Sequence, residues 1–169
     1  MKCSRGHNPF FSQYAVLGLP FYLLIAIIIT GAILSVFALG LQNIITDSTI
    51  HQVEQEINKI TTEATNMYEY ANEGTNITVH VEFPSSLRCI VFGALPKNGT
   101  AEPSLITFDE NTSNNYYFVL KDGTVRSYHS NARFSTPDFT HSVILHPGVY
   151  TLTLQLCFYE GKSYVTIYY

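Results

Sequence analysis

Six histidines, three cysteines and a few serines and acids are the residues of this chain whose types could do chemistry. The nearest histidines, His141 and His146, stand an odd number of positions apart. On a strand that puts them on opposite faces, where they do not converge on one ion. No histidine combines with a cysteine or a carboxylate into a ligand set, so neither a metal nor a cofactor is expected. Ser85 and Ser86 follow Pro84 and read as a turn, without the glycine-flanked elbow that exposes a nucleophilic serine. Asp109 and Glu110 are adjacent in a loop and cannot flank a substrate as an acid and base pair. The expectation is a protein that is not an enzyme.

Covalent chemistry of two other kinds remains open. Cys3 precedes everything else, which leaves Cys89 and Cys157 as a possible disulfide closing a loop of about 69 residues. Parity speaks against it. Cys157 alternates with Thr151, Thr153 and Gln155 on a solvent-like face, whereas Cys89 shares its phase with Leu87 and Val91 on a core-like one. Three Asn-x-Ser/Thr sequons, at Asn76, Asn98 and Asn111, are candidate glycosylation sites and fall in segments with loop or strand-edge character.

The elements that carry these residues are announced by one anomaly of charge. Charged residues make up 13% of the chain, about half the usual share, because none occurs between Arg5 and Asp47. Residues 15–41 are apolar apart from Thr30, Ser35 and small residues. At ~1.5 Å rise per residue they exceed the ~30 Å hydrocarbon core of a bilayer, and the apolar stretch is longer than that of a cleaved secretory signal. A transmembrane helix is expected, with the lipid bilayer as its partner. Lys2 and Arg5 precede it, and the next 20 residues after it carry Asp47, Glu54 and Glu56 against Lys59 alone, which orients residues 1–14 as a cytoplasmic leader and the rest outside the cytoplasm. The localisation expected is a single-pass cell-membrane protein. No basic run tracks a phosphate backbone, so nucleic acid is not an expected partner.

From Gly40 to Gly74 there is neither Pro nor Gly, and Ile50, Val53, Ile57, Ile60, Ala64 and Met67 recur at steps of three and four. This predicts an amphipathic helical stem over 42–73 whose stripe packs either on the protein's own β domain or on helices of neighbouring copies. Gly74 is placed to end it. Beyond it, alternation predicts strands at 77–83, 87–92, 105–108, 116–120, 124–128, 142–145, 149–159 and 162–169. Turns at Lys121-Asp122-Gly123 and Glu160-Gly161 join two hairpins. The fold class is α+β: a long N-terminal helix, transmembrane and then stem, followed by an antiparallel β-sandwich over 76–169. Twelve Tyr and 11 Phe with no Trp either fill that sandwich or line a binding surface, with Tyr116, Tyr117, Tyr164, Tyr168 and Tyr169 as the surface candidates.

A short basic leader, an apolar helix running into an amphipathic one, and then a β domain together resemble archaeal type IV pilin-like proteins. Lys2-Cys3-Ser4-Arg5-Gly6 looks like the site that a prepilin peptidase cuts, and Ala15-Val16-Leu17-Gly18-Leu19-Pro20 looks like the membrane helix of small archaeal surface proteins. The resemblance implies processing at Arg5, Gly6 and His7, a mature chain starting at His7, an archaeal cell envelope, and pilin-like subunits as partners through the helix. The expected function is a non-enzymatic, membrane-anchored protein of surface assembly or interaction. The alternative is a membrane-tethered module that captures glycan or peptide on the tyrosine-rich sheet.

Overall fold

The structure is a computed structural model that describes residues 13–96 and 105–169, with side chains in the long helix described at 20–40 and from 47 onward. The expected processing residues Arg5, Gly6 and His7 and the sequon at Asn98 lie outside the described residues. A helix, α1, runs from Gln13 to Tyr70 with Pro20 inside it, and the chain divides into two compact units between Asp47 and Ser48.

In the first unit, Pro20–Gly40 forms 21 helical residues with mean hydropathy 2.7 and no buried side chain. By length and composition this helix can cross a membrane. At ~1.5 Å per residue it measures about 31 Å, one hydrocarbon thickness. Ser35 returns its hydroxyl to the Gly31 carbonyl at 2.8 Å, so its polar group is satisfied within the helix.

The second unit is α+β and sandwich-like. After α1 come β1 (Asn76–Phe83), β2 (Leu87–Phe92), β3 (Asn115–Leu120), β4 (Val125–His129), β5 (Phe134–Ser135), β6 (Val143–Leu145), β7 (Gly148–Tyr159) and β8 (Lys162–Tyr168). The first sheet has the order β1-β7-β8-β5 and the second β4-β3-β2-β6. Pairing is antiparallel except for β5 with β8, which is parallel. The two hairpins form where turn chemistry predicts them. Glu160 and Gly161 both take left-handed φ, +46° and +82°, the geometry whose twist matches the flanking strands.

Each sheet sends alternate side chains inward, and the stem completes the core. Val79, Val81, Leu152, Leu154, Val165 and Ile167 from the first sheet meet Ile90, Phe92, Phe118, Leu120, Val143 and Leu145 from the second. The stem's stripe joins the same core, with Ile50 8% exposed and Val53, Ile57, Ile60, Ala64 and Met67 at 1% or less. Polar contacts place the stem between the two edge strands β1 and β4. Glu56 accepts the backbone N–H of Glu82 on β1 at 3.0 Å, and Tyr128 on β4 donates its hydroxyl to Glu54. An open β1 edge invites unwanted pairing, and the Glu56 carboxylate occupies one of its donors.

Several sequence expectations are corrected here. The stem ends at Tyr70, short of 73, and Gly74 takes its φ of +84° in the following turn, where its N–H donates to Leu156 O at 2.8 Å. No strand forms at 105–108; Thr107 makes an isolated bridge with His141. The two-residue β5 escapes a reading by alternation because it is too short to show a period. Of the two partners open to the stem's stripe, the protein's own β unit is the one on which it packs.

Candidate functional site

The disulfide candidate is overturned by register. Leu87 pairs with Leu120 but Cys89 pairs with Val119, so Arg88 is an extra residue, a β-bulge that reverses the facing of everything after it. Leu87 therefore points into the main core. Cys89 joins Val91, Tyr117 and Val119 in a second apolar cluster on the outer face of the second sheet, with Ile106 and Ile144 packed against it. Cys157 lies on the outer face of the first sheet, opposite in facing to Leu156 and Leu154, with its Sγ 3.5 Å from Thr166 Oγ1. Facing sheets stack ~10 Å apart, and a disulfide needs Cα atoms within ~7 Å. No bond joins the two.

The sequons differ in presentation. Asn76 and Thr78 are both exposed and share the outer face of edge strand β1. Asn111 is exposed on a single 3-10 turn, Glu110–Thr112, and its amide donates to Asp109 Oδ1 at 3.2 Å. Its partner Ser113 is fully buried and donates to Glu110 O at 2.7 Å.

The tyrosines divide in the same way. Tyr116, Tyr117 and Tyr164 are buried, which removes them from the proposed capture surface, while Tyr168 and Tyr169 are exposed. Tyr164 is enclosed edge-on by Phe108 and Phe139, at 5.6 Å each, and Arg133 lies 6.0 Å over its ring. Phe139 also stacks on Tyr159 at 4.3 Å, from a left-handed φ of +56°. Asp138 beside it accepts hydrogen bonds from the hydroxyls of Thr136 and Thr140, which hold its carboxyl down at about 2. These contacts pin the turn that carries Phe139. They use the aromatic faces for packing.

Around the stem lie open depressions. One of about 730 Å³ runs between Asn58, Lys59, Thr62 and the β1 residues Ile77–His80; another of about 350 Å³ lies between Thr61, Thr65, Asn66 and His129–Asn131. The smaller is walled by hydroxyls and amides, whereas the larger also presents Ile77 and Val79 and is more apolar than polar, and its Lys59 is already paired with Glu56 at 2.6 Å. His51 Nδ1 stands 3.6 Å from Glu54 Oε2, a one-turn pairing on the helix that the spacing of the histidines alone did not reveal. Among the described residues no three His, Cys, Asp or Glu side chains gather as a metal would require.

Two tyrosines packed between elements have strongly raised pKa values. Burial, then the hydrogen bond to Glu54, pushes Tyr128 up to about 12, and burial followed by the proximity of Cys89 pushes Tyr117 up to about 12. Tyr117 packs in the outer cluster, and Tyr128 lines a depression of about 200 Å³ with Glu54, Ile57, Asn58 and Tyr116.

Comparison with protein-family models, with curated proteins and with solved structures gives no match. The chain's most distinctive surface is the apolar helix: Tyr22, Val36, Phe37 and Leu39 are each at least 66% exposed, and Ile27, Ile28, Ile33 and Leu34 follow at 59–63%. Soluble proteins rarely expose contiguous apolar patches of more than a few hundred Å².

Proposed function

We propose that the chain is a non-enzymatic, membrane-anchored protein of the cell envelope, pilin-like in plan, which presents its β unit outside the cytoplasm for surface assembly or interaction. The observation that carries this reading is the uncovered helix Pro20–Gly40, in which apolar side chains are exposed on every face. A core helix of a soluble protein shows one apolar face, whereas a helix apolar all round belongs in a protein interior or in lipid. Nothing in the described protein covers this one, so lipid is the medium that fits it. Lys2 and Arg5 on one side of the span, against Lys59 alone near it on the other, favour an inside N-terminus.

Within that reading the emphasis falls on anchoring. Many pilin-like proteins carry Glu at the fifth position after the leader cut, and the corresponding residue here is Phe11. The stem's stripe is also committed to its own unit, so copies would have to associate through the span or the β surface. The test is to express the full chain, strip membranes with alkaline carbonate, and treat intact cells with protease. The reading expects retention in the membrane pellet and cleavage of the β unit from outside; release into the supernatant would overturn it. Sequencing the mature N-terminus separates the two routes, His7 indicating leader processing and Met1 a plain signal anchor.

A further inference from the structure

Of the two sequons among the described residues, one is tied into the fold and the other is left outside it. Asn111 donates its amide to Asp109 Oδ1, and the hydroxyl of its partner Ser113 is buried on Glu110 O. Asn76 and Thr78, in contrast, are both exposed on the outer face of β1, and neither side chain is hydrogen-bonded to another described residue. A substituent on Asn76 Nδ2 therefore breaks no contact of the unit.

Asn76 also stands on a part of the molecule that needs cover. β1 ends its sheet, with β7 as its single strand neighbour. Antiparallel pairing alternates, so N–H groups that point away from β7 recur at every second position. Glu82 supplies one, which Glu56 accepts at 3.0 Å, and His80 and Thr78 share its phase. No described residue accepts from those two N–H groups. The His80 ring does not cover them, since its Nδ1 lies 3.0 Å from Thr151 Oγ1 on β7. The edge borders the open depression of about 730 Å³ beside the stem. An unpaired edge of this kind is a template for a further strand, and the β-branched run Ile77, Thr78 and Val79 favours such pairing.

We propose that Asn76 carries an N-linked glycan that shields the free edge of β1. This rests on the outward topology proposed above, because the donor, a lipid-phosphate-linked oligosaccharide, is used outside the cytoplasm. In the transfer a bond forms between Asn76 Nδ2 and the anomeric carbon of the sugar. The bond from that carbon to the phosphate oxygen breaks, the lipid phosphate leaves with the electron pair, and the amide gives up one proton. At ~3.4 Å per residue, Thr78 lies about 7 Å and His80 about 14 Å from Asn76, within reach of several linked sugar rings. A bulky, hydrated chain there denies the edge to a second strand, as a charged side chain does on other edge strands.

The full chain is produced in cells that N-glycosylate exported proteins, and its peptides are mapped by mass spectrometry before and after peptide N-glycosidase. The expected result is sugar on Asn76, lost in Asn76→Gln. Asp122→Asn serves as the control for topology, since it completes a sequon with Thr124 in the exposed Lys121–Gly123 turn. An unmodified Asn76 overturns the proposal. The outward topology survives that result if the Asp122→Asn chain gains a glycan, and falls with it if protease outside intact cells also leaves the β unit whole. Shielding is read from light scattering of the purified chains at matched concentration in detergent. Asn76→Gln should scatter several-fold more than the unaltered chain. Thr78→Lys removes the same sequon but charges the edge, and should scatter no more than the unaltered chain. Equal scattering by Asn76→Gln and the unaltered chain, or an excess that Thr78→Lys shares, overturns the shielding.

Discussion

The two halves of α1 share one secondary structure and differ in what their apolar side chains meet. Over Pro20–Gly40 apolar residues occupy every face and none is buried. Over the stem they occupy one stripe, from Ile50 to Met67, and that stripe is buried against two sheets while Asn58, Thr62 and Asn66 face outward. Helical geometry is common to both, so the pattern of side chains decides the surroundings. A stripe specifies a partner in one direction and is satisfied inside the unit. A full apolar circumference specifies a medium, and among the described residues nothing buries it.

The comparison is broken most severely by charging the stripe. Ile57→Asp with Ile60→Asp puts two carboxylates where both side chains are 1% exposed or less, without partners. The unit should lose its cooperative unfolding transition, a destabilisation of more than about 5 kcal/mol. Thermal denaturation by circular dichroism in detergent reads this as loss of the sheet signal, and a stable, native-like transition would contradict the packing described. The span should respond in the opposite manner. Leu34→Lys places a charge near its centre, which opposes insertion by ~3 kcal/mol. The expected outcome is weaker retention in carbonate-washed membranes with the melting temperature of the β unit unchanged.

A substitution far from the helix sharpens the contrast by striking the second unit alone. Gly93 has φ +88°, and a Cβ there would stand 2.8 Å from the carbonyl oxygen of Phe134. That oxygen is backbone and cannot swing away. Gly93→Ala should therefore destabilise the unit by about 2 kcal/mol, from left-handed strain together with the clash. Membrane retention should match that of the unaltered chain. A denaturant midpoint that does not move would show that the edge near β5 gives way easily.

What the sequence made legible follows from periodicity. The stem's stripe, the strand at Asn76–Phe83 and the long strand β7 each repeat their pattern often enough to declare a facing. The β-bulge at Arg88 was invisible because one inserted residue leaves the local composition unchanged while reversing the parity on which the Cys89 argument depended. β5 is too short to alternate, and its parallel pairing with β8 is a long-range choice that no local pattern encodes. The tyrosines were ambiguous because a ring suits a core and a wet edge equally well, and only burial separates Tyr164 from Tyr169. For the functional surface, length and charge were enough to single out the apolar helix.

The smallest effect tests how the stem is held to the second sheet. Tyr128→Phe removes the hydroxyl that donates to Glu54 and should lower stability at neutral pH by about 1–2 kcal/mol, the value of a hydrogen bond to a charged acceptor. Its pH dependence carries a sign. Burial and then Glu54 raise the folded-state pKa of Tyr128 from 10.0 to about 12, so the folded protein keeps a proton that the unfolded chain releases. The contribution is fully present below about pH 10 and disappears as pH rises toward 12. Tyr117, raised to about 12 chiefly by burial, adds a second component in the same window. Melting temperatures measured between pH 9 and 12 should therefore fall in the unaltered chain and fall less steeply in Tyr128→Phe. Parallel curves would mean that the hydroxyl is not held by Glu54 in solution, and that the apolar stripe alone positions the stem.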